Sequence, residues 1–247
     1  MTPAAKLARR LPPPLERLLQ RAYRSPRLRR TVRPVRWGSL RRVEPVSRGW
    51  GSARGTVIDR YYIERFFDEH RQLIRGRVLE VRDPQYTHTF GTGVTAIDIV
   101  DIDPRNEQAT IVADISDPGS LPAEAFDCAV VPQTLQYVPD PMVATANLWR
   151  SLAPGGALLV TVPSIARVDP AFSADDRWRF TAVGLAELAR RACPHGEVSV
   201  RAYGNPLVAV AFLHGLAREE LRQQELDATH EHFPIVASAV VKKPPFG

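Results

Sequence analysis

Apolar residues recur along this chain in two different periods. From Val57 to Ile74 (VIDRYYIERFFDEHRQLI) they fall at helical spacing, with Ile58, Tyr61, Tyr62, Phe66 and Leu73 repeating and Gly76 as the stop. Beyond it come short apolar runs closed by charge. Val78, Leu79 and Val81 end at Arg82 and Asp83; Val94–Ile99 is broken by Asp98; Ala109–Ala113 is closed by Asp114. FDCAVVP, ending at Pro132, and ALLVTVPS (157–164) supply a fourth and a fifth run. Between these two, MVATANLWRSLAPGG predicts an amphipathic helix closed by Pro154-Gly155-Gly156. Apolar runs of this length, alternating with helices over short connections, predict an α/β sheet of buried parallel strands with right-handed crossovers.

The strand ends carry the candidate chemistry. Carboxylates close three runs, at Glu80, Asp98 and Asp114, and the carboxyl ends of parallel strands open onto a ligand crevice. Acids in that position suit a nucleoside: one carboxylate accepts hydrogen bonds from both ribose hydroxyls, and an acid or amide after the third strand can face an adenine amine. The helix before the first strand lies across the mouth of such a crevice, which makes Tyr61 and Tyr62 candidates to face it.

Charge divides the chain. Residues 1–60 hold 16 Lys+Arg against 3 Asp+Glu, and the remainder holds 17 against 24. An Arg/Pro-rich basic arm over residues 1–55, partly disordered, therefore precedes an acidic globular domain over 56–247. Three readings of the arm stay open: solvated disorder, attachment to an acidic lipid or protein surface, and nucleic-acid contact. The acidity of the domain argues against nucleic acid as its partner. Trp37 and Trp50 suggest that the end of the arm, WGSLRRVEPVSRGWG, docks on the domain. Two cysteines, Cys128 and Cys193, make no disulfide framework. No apolar run approaches the roughly 20 residues that span a bilayer. With no secretory pattern at the N-terminus, the expected location is the cytoplasm.

Residues from about 56 to 243 resemble class I S-adenosylmethionine-dependent methyltransferases of the type 11 group. The resemblance rests on LAPGGALLVTVPS, on FDCAVVPQTLQYVPDP and on DRWRFTAVGLAELAR. GTVIDRYYIERF and AYGNPLVAVAFLHGL resemble a bacterial subset found among sugar- and cell-surface-modifying enzymes. It implies a Rossmann-like seven-stranded sheet with an antiparallel last strand and helices on both faces. Residues 197–203 and 235–241 would be the sixth and seventh strands, and 206–225 a lid or packing helix between them. It also implies S-adenosyl-L-methionine as cofactor. Tyr61, Glu80, Val81, Arg82, Asp98 (for the ribose), Asp114 and Ile115 (for the adenine) and Gln133 would line its site. The chain departs from the group in two places: Arg82-Asp83-Pro84-Gln85-Tyr86 stands where a glycine-rich loop is usual, and LQYV replaces LEHV.

Methyl transfer is an in-line displacement, so alignment of the acceptor with the methyl group dominates, and an alcohol acceptor also needs a base. His214 and His88 are the candidates for that base. Arg179, in WRFT, and Tyr137 are candidates for the acceptor side, Arg179 because its planar fork can hold a carboxylate or a sugar oxygen. His230-Glu231-His232 lacks a further matched ligand, so no metal is expected. The implied activity is methylation of a small molecule, most plausibly at oxygen on a sugar or secondary metabolite. The alternative is a catalytically silent methyltransferase-like module partnering a biosynthetic enzyme.

Overall fold

The computed structural model describes Pro12, Pro14, Leu15 and residues 38–245. Most of the basic arm, Trp37 included, lies outside the described residues. The chain divides into two units, residues 1–43 and 44–247. In the first, Gly38–Leu40 forms one 3-10 turn. The second holds everything that follows.

Its seven strands are β1 (Gly76–Val81), β2 (Val94–Asp101), β3 (Ile111–Val112), β4 (Phe126–Pro132), β5 (Leu152–Pro163), β6 (Glu197–Tyr203) and β7 (Val236–Lys242). They form one sheet in the order β3-β2-β1-β4-β5-β7-β6. The pairs from β3 through β5 are parallel, while β7 runs antiparallel to both of its neighbours, β5 and β6. Helices α1 (Ile58–Glu69), α2 (Gln85–Phe90), α3 (Pro141–Ser151), α4 (Ala182–Ala192), α5 (Pro206–Leu213) and α6 (Gln223–Asp227) flank it. This is the expected Rossmann-like architecture.

The period-2 alternation of the strands splits the core in two. Leu79, Ala129, Val131, Leu158 and Val160 face Ala144 and Leu148 of α3 and Leu185 and Ala189 of α4. Val78, Cys128, Val130, Leu159 and Val240 face Ile58, Tyr62, Phe66 and Phe67 of α1 and Val208 and Phe212 of α5. Caps fix the helix starts. Asp140 accepts from the amides of Met142 and Val143 ahead of α3, Thr181 from Gly184 ahead of α4, and Asn205 from Val208 ahead of α5.

Several boundaries differ from the sequence reading. The first helix ends at Glu69, and a separate 3-10 turn covers Arg71–Leu73. The helix expected to run to Pro154-Gly155-Gly156 stops at Ser151, and those residues belong to β5. The expected helix over 206–225 is three pieces: α5, a 3-10 turn at Arg218–Glu220, and α6. It breaks at Gly215, which takes φ +70 and packs so tightly on Ser47 that a Cβ there would collide with backbone.

That contact belongs to a strap. Residues 44–55 lie within the second unit rather than apart from it. The amides of Val46 and Ser47 donate to the carbonyl of His214 at 2.8 and 3.1 Å. Gly51 abuts the backbone of Leu216, and the guanidinium of Arg167 lies 3.5 Å over the ring of Trp50. Val57 then bridges to Ala217 and leads into α1. Among the described residues, no helix is long and apolar enough to cross a membrane.

Candidate functional site

Adjacent parallel strands whose connections leave in opposite directions create a crevice at their carboxyl ends. Here the strands are β1 and β4, at the centre of the sheet. The residue that follows each is a non-glycine in the left-handed region, Arg82 at φ +76 and Gln133 at φ +45. Such conformations cost about 1–3 kcal/mol and persist where the surroundings fix them.

The turn after β1 is fixed by three ties. The amide of Arg82 donates to Val100 O at 2.9 Å. Asn106 Nδ2 donates to Arg82 O and to Asp101 Oδ2, both at 2.7 Å. Glu80, fully buried, accepts from the amides of Tyr86 and Thr87 at 2.9 and 2.8 Å. Burial pushes its carboxyl up to about 7, against those two amides, which favour the charged form. Glu80 is therefore a positioning residue that anchors the start of α2, with each oxygen already engaged. The side chain of Arg82 is exposed, Val81 is half-buried, and His88 is exposed on α2.

On the β2 side the expected acid moves. Asp98 lies inside the strand, level with Leu79. Its carboxylate is held by Arg77 at 2.7 Å and by Thr110 at 3.1 Å, and the Arg77 hydrogen bond lowers its pKa. The strand runs on to Asp101, because Ile99 and Val100 are still buried sheet residues. Asp101 is thus the acid at the crevice. It accepts one hydrogen bond on each oxygen, from Asp103 N and from Asn106, and keeps lone pairs for further donors. Asp114, beyond β3, accepts from the amide and hydroxyl of Ser116 at 2.8 and 2.5 Å. Ile115 is buried beside it, and its carbonyl accepts from Asn147.

On the β4 side, the amide of Gln133 donates to Thr161 O at 2.8 Å, and its carbonyl accepts from Gln136 Nε2 at 2.7 Å. Gln133 Nε2, Gln136 Oε1 and, after β5, Ser164 Oγ are buried without a hydrogen-bond partner. Orphaned polar atoms at a crevice mark where a ligand or water completes the bonding. Acids beside β2 and β3, with unpaired amide and hydroxyl groups beside β4 and β5, fit the hydroxyls and amine of S-adenosylmethionine on one side and its amino-acid end on the other.

The remaining sequence candidates separate. Tyr61 is engaged with α6: its hydroxyl bonds Asp227 and Gln223, and Arg218 lies over its ring. One helical residue earlier, Arg60 donates to the hydroxyl of Tyr86 at 2.6 Å, which ties α1 to α2. Asp59 Oδ1 is buried and unpaired; burial raises its carboxyl's pKa, and Arg60 opposes the shift. Sequence reasoning missed both, although Asp59 shares the stripe of Tyr62, Ile63 and Phe66. Arg179 is committed to Asp176 at 2.5 and 2.9 Å and to Arg167 O at 2.9 Å, so it forms a structural ion pair. The ring of Tyr137 packs on Phe172, and its hydroxyl lies 3.5 Å from Asp169 Oδ2. His214 caps α5 under the strap, with Nδ1 buried and unpaired. His232 is exposed in the loop before β7, with Nε2 3.0 Å from Glu231.

Residues 85–160 match the family model described as a methyltransferase domain. The chain carries a methyltransferase domain. S-adenosylmethionine is the cofactor that goes with it. The domain match begins just after the Arg82 turn and takes in Asp101, Asp114, Gln133 and most of β5. The fold resembles N-methyltransferase NodS from Bradyrhizobium japonicum WM9, solved with S-adenosyl-L-homocysteine, with TM-score 0.50 and 13% identity over 78% of this chain and 91% of that one. It also resembles the [4+2]-cyclase SpnF, with TM-score 0.50 and 18% identity over 77% and 83%. At these identities the likeness is one of fold. No curated protein matches the chain.

Proposed function

We propose that this methyltransferase acts on a small molecule and methylates it at oxygen, on a sugar or secondary metabolite. The observation that supports this most is the crevice at the β1–β4 switch point. There, Arg82 and Gln133 hold left-handed turns, Asp101 and Asp114 stand on one side, and the unpaired atoms Gln133 Nε2, Gln136 Oε1 and Ser164 Oγ stand on the other. Bound S-adenosylmethionine supplies a methyl group on a sulfonium, open to in-line attack. The chain's own contribution is alignment: Asp101 would accept from ribose hydroxyls, Asp114 from the adenine amine, and Gln133 would offer its unpaired side-chain amide to the amino-acid end. An alcohol acceptor must lose its proton, and His214 is the candidate base, its Nδ1 being buried and unpaired beside the strap.

A catalytically silent binding module is the second reading. It is favoured by Arg82, Pro84 and Tyr86 standing in place of the usual glycines. Calorimetry of S-adenosylhomocysteine with the purified chain separates the two. Saturable binding, weakened in Asp101→Ala, supports the enzyme; absence of binding sinks it.

A further inference from the structure

Arg167 lies four residues beyond the end of β5, the parallel neighbour of β4, whose carboxyl end borders the crevice. Its guanidinium is stacked 3.5 Å over the ring of Trp50, from the strap, and its Nε is buried with no hydrogen-bond partner. Stacking on an aromatic face holds the planar fork and leaves its edge available for a planar or tetrahedral oxyanion. The acids nearby in sequence are engaged elsewhere. Asp176 is bound by Arg179 and by the amide of Asp169. Asp169 accepts from Ala171 N, and Tyr137 OH lies 3.5 Å from its other oxygen. Among the described residues, no carboxylate pairs with Arg167. On the same strand end, Ser164 Oγ is a second buried donor without an acceptor. A buried cationic donor without an acceptor carries a free-energy penalty that a bound anion removes.

We propose that Arg167, held by Trp50 and assisted by Ser164, binds an oxyanion of the acceptor, so that the substrate is a small molecule bearing a carboxylate or phosphate. The site rests on the methyltransferase reading for its role, but not for its chemistry. The two are tested separately, because S-adenosylhomocysteine binding reports on the cofactor site and anion binding on Arg167.

The test titrates the full chain, saturated with S-adenosylhomocysteine, with sodium acetate and with inorganic phosphate at constant ionic strength, following tryptophan emission. The expected result is a saturable change for at least one anion, with affinity at least tenfold weaker in Arg167→Gln. The tighter anion identifies the class, carboxylate or phosphate. Arg167→Lys keeps a cation near Trp50 without the fork, so it is the second variant should Arg167→Gln lose its fold by circular dichroism; its affinity is expected to drop severalfold. Equal titrations in wild type and either folded variant would overturn the proposal, as would a change that never saturates. If the wild type fails to bind S-adenosylhomocysteine, the methyltransferase reading falls; the same titrations run without that ligand still decide the anion site.

Discussion

Arg82→Gly separates the backbone of the β1–α2 turn from its side chain. Arg82 holds φ +76 while its amide and carbonyl are tied to Val100 and Asn106, and its side chain is exposed. An L-residue in the left-handed region costs about 1–2 kcal/mol. Glycine relieves that strain but adds unfolded-chain freedom worth about 0.5–1 kcal/mol. The net stabilisation therefore falls between about zero and 1.5 kcal/mol. At about 2–4 °C per kcal/mol for a domain of this size, the melting midpoint should rise by a few degrees at most. Affinity for S-adenosylhomocysteine should stay within about threefold of wild type, because the guanidinium points to solvent.

Differential scanning calorimetry and isothermal titration measure the two quantities. A fall in the midpoint of more than about 2 °C, roughly 1 kcal/mol or less, would show that the side chain has a stabilising partner and refute the strain argument. A tenfold change in affinity, about 1.4 kcal/mol, would refute the placement of the guanidinium. A gain of that size would mark the native turn as an obstacle to the cofactor and favour the silent module. A loss would make Arg82 a cofactor ligand.

Glu80→Ala should cost about 2–4 kcal/mol, read by urea denaturation, since it strands two buried amides at the start of α2; a cost under about 1 kcal/mol would count against the capping role. Because burial raises the Glu80 carboxyl from 4.5 to about 7, the folded state holds that proton more tightly than the unfolded chain. The associated stability is present below about pH 4.5 and is lost as pH rises through about 7. Wild type should therefore lose stability relative to Glu80→Gln between pH 5 and pH 8, and parallel curves would contradict the shift. Asp101→Ala should weaken S-adenosylhomocysteine binding by about 1–3 kcal/mol while Asp98→Ala leaves it nearly unchanged; calorimetry showing the reverse order would return the ribose to Asp98. Removing residues 1–43, a unit separate from residues 44–247, should change stability by less than about 1 kcal/mol. A larger loss on thermal melting would place part of the core in that segment.

Patterns with a strong period were legible, and one-residue details were not. The apolar runs located the end of β1 and the whole of β4, because buried strands leave little room for polar substitution, and the family resemblance placed β6 and β7 to within one residue. IDIVDID was ambiguous, offering acids at 98, 101 and 103; which one reaches the crevice depends on how far β2 stays paired with β1, a tertiary fact. Glu80 was visible as a strand-end acid, but its role inverted once the amides of Tyr86 and Thr87 were seen to take both oxygens. Tyr61 and Arg60 are one helical step apart, about 100°, and sequence favoured the aromatic where the structure points the arginine at α2. The break at Gly215 could not be read locally, since it is imposed by Ser47, far away in the chain. Docking of the strap, suggested by Trp50, is visible in its stack with Arg167.

What replaces the usual glycines is a set of side-chain ties rather than a freer backbone. Glycine lets a turn after the first strand take a left-handed conformation and approach a ligand closely. Here an arginine takes that conformation, and its cost is offset by bonds reaching the turn from three directions. Glu80 fixes the start of α2 from below, Val100 accepts the turn's amide, and Asn106 holds its carbonyl. Asn106 also holds Asp101, so the turn after β1 and the acid at the end of β2 are set by one amide group. A glycine loop would leave those two elements independent. In this chain a shift of one carries the other, so the backbone at Arg82 and the carboxylate at Asp101 keep a common register for a ligand that spans both.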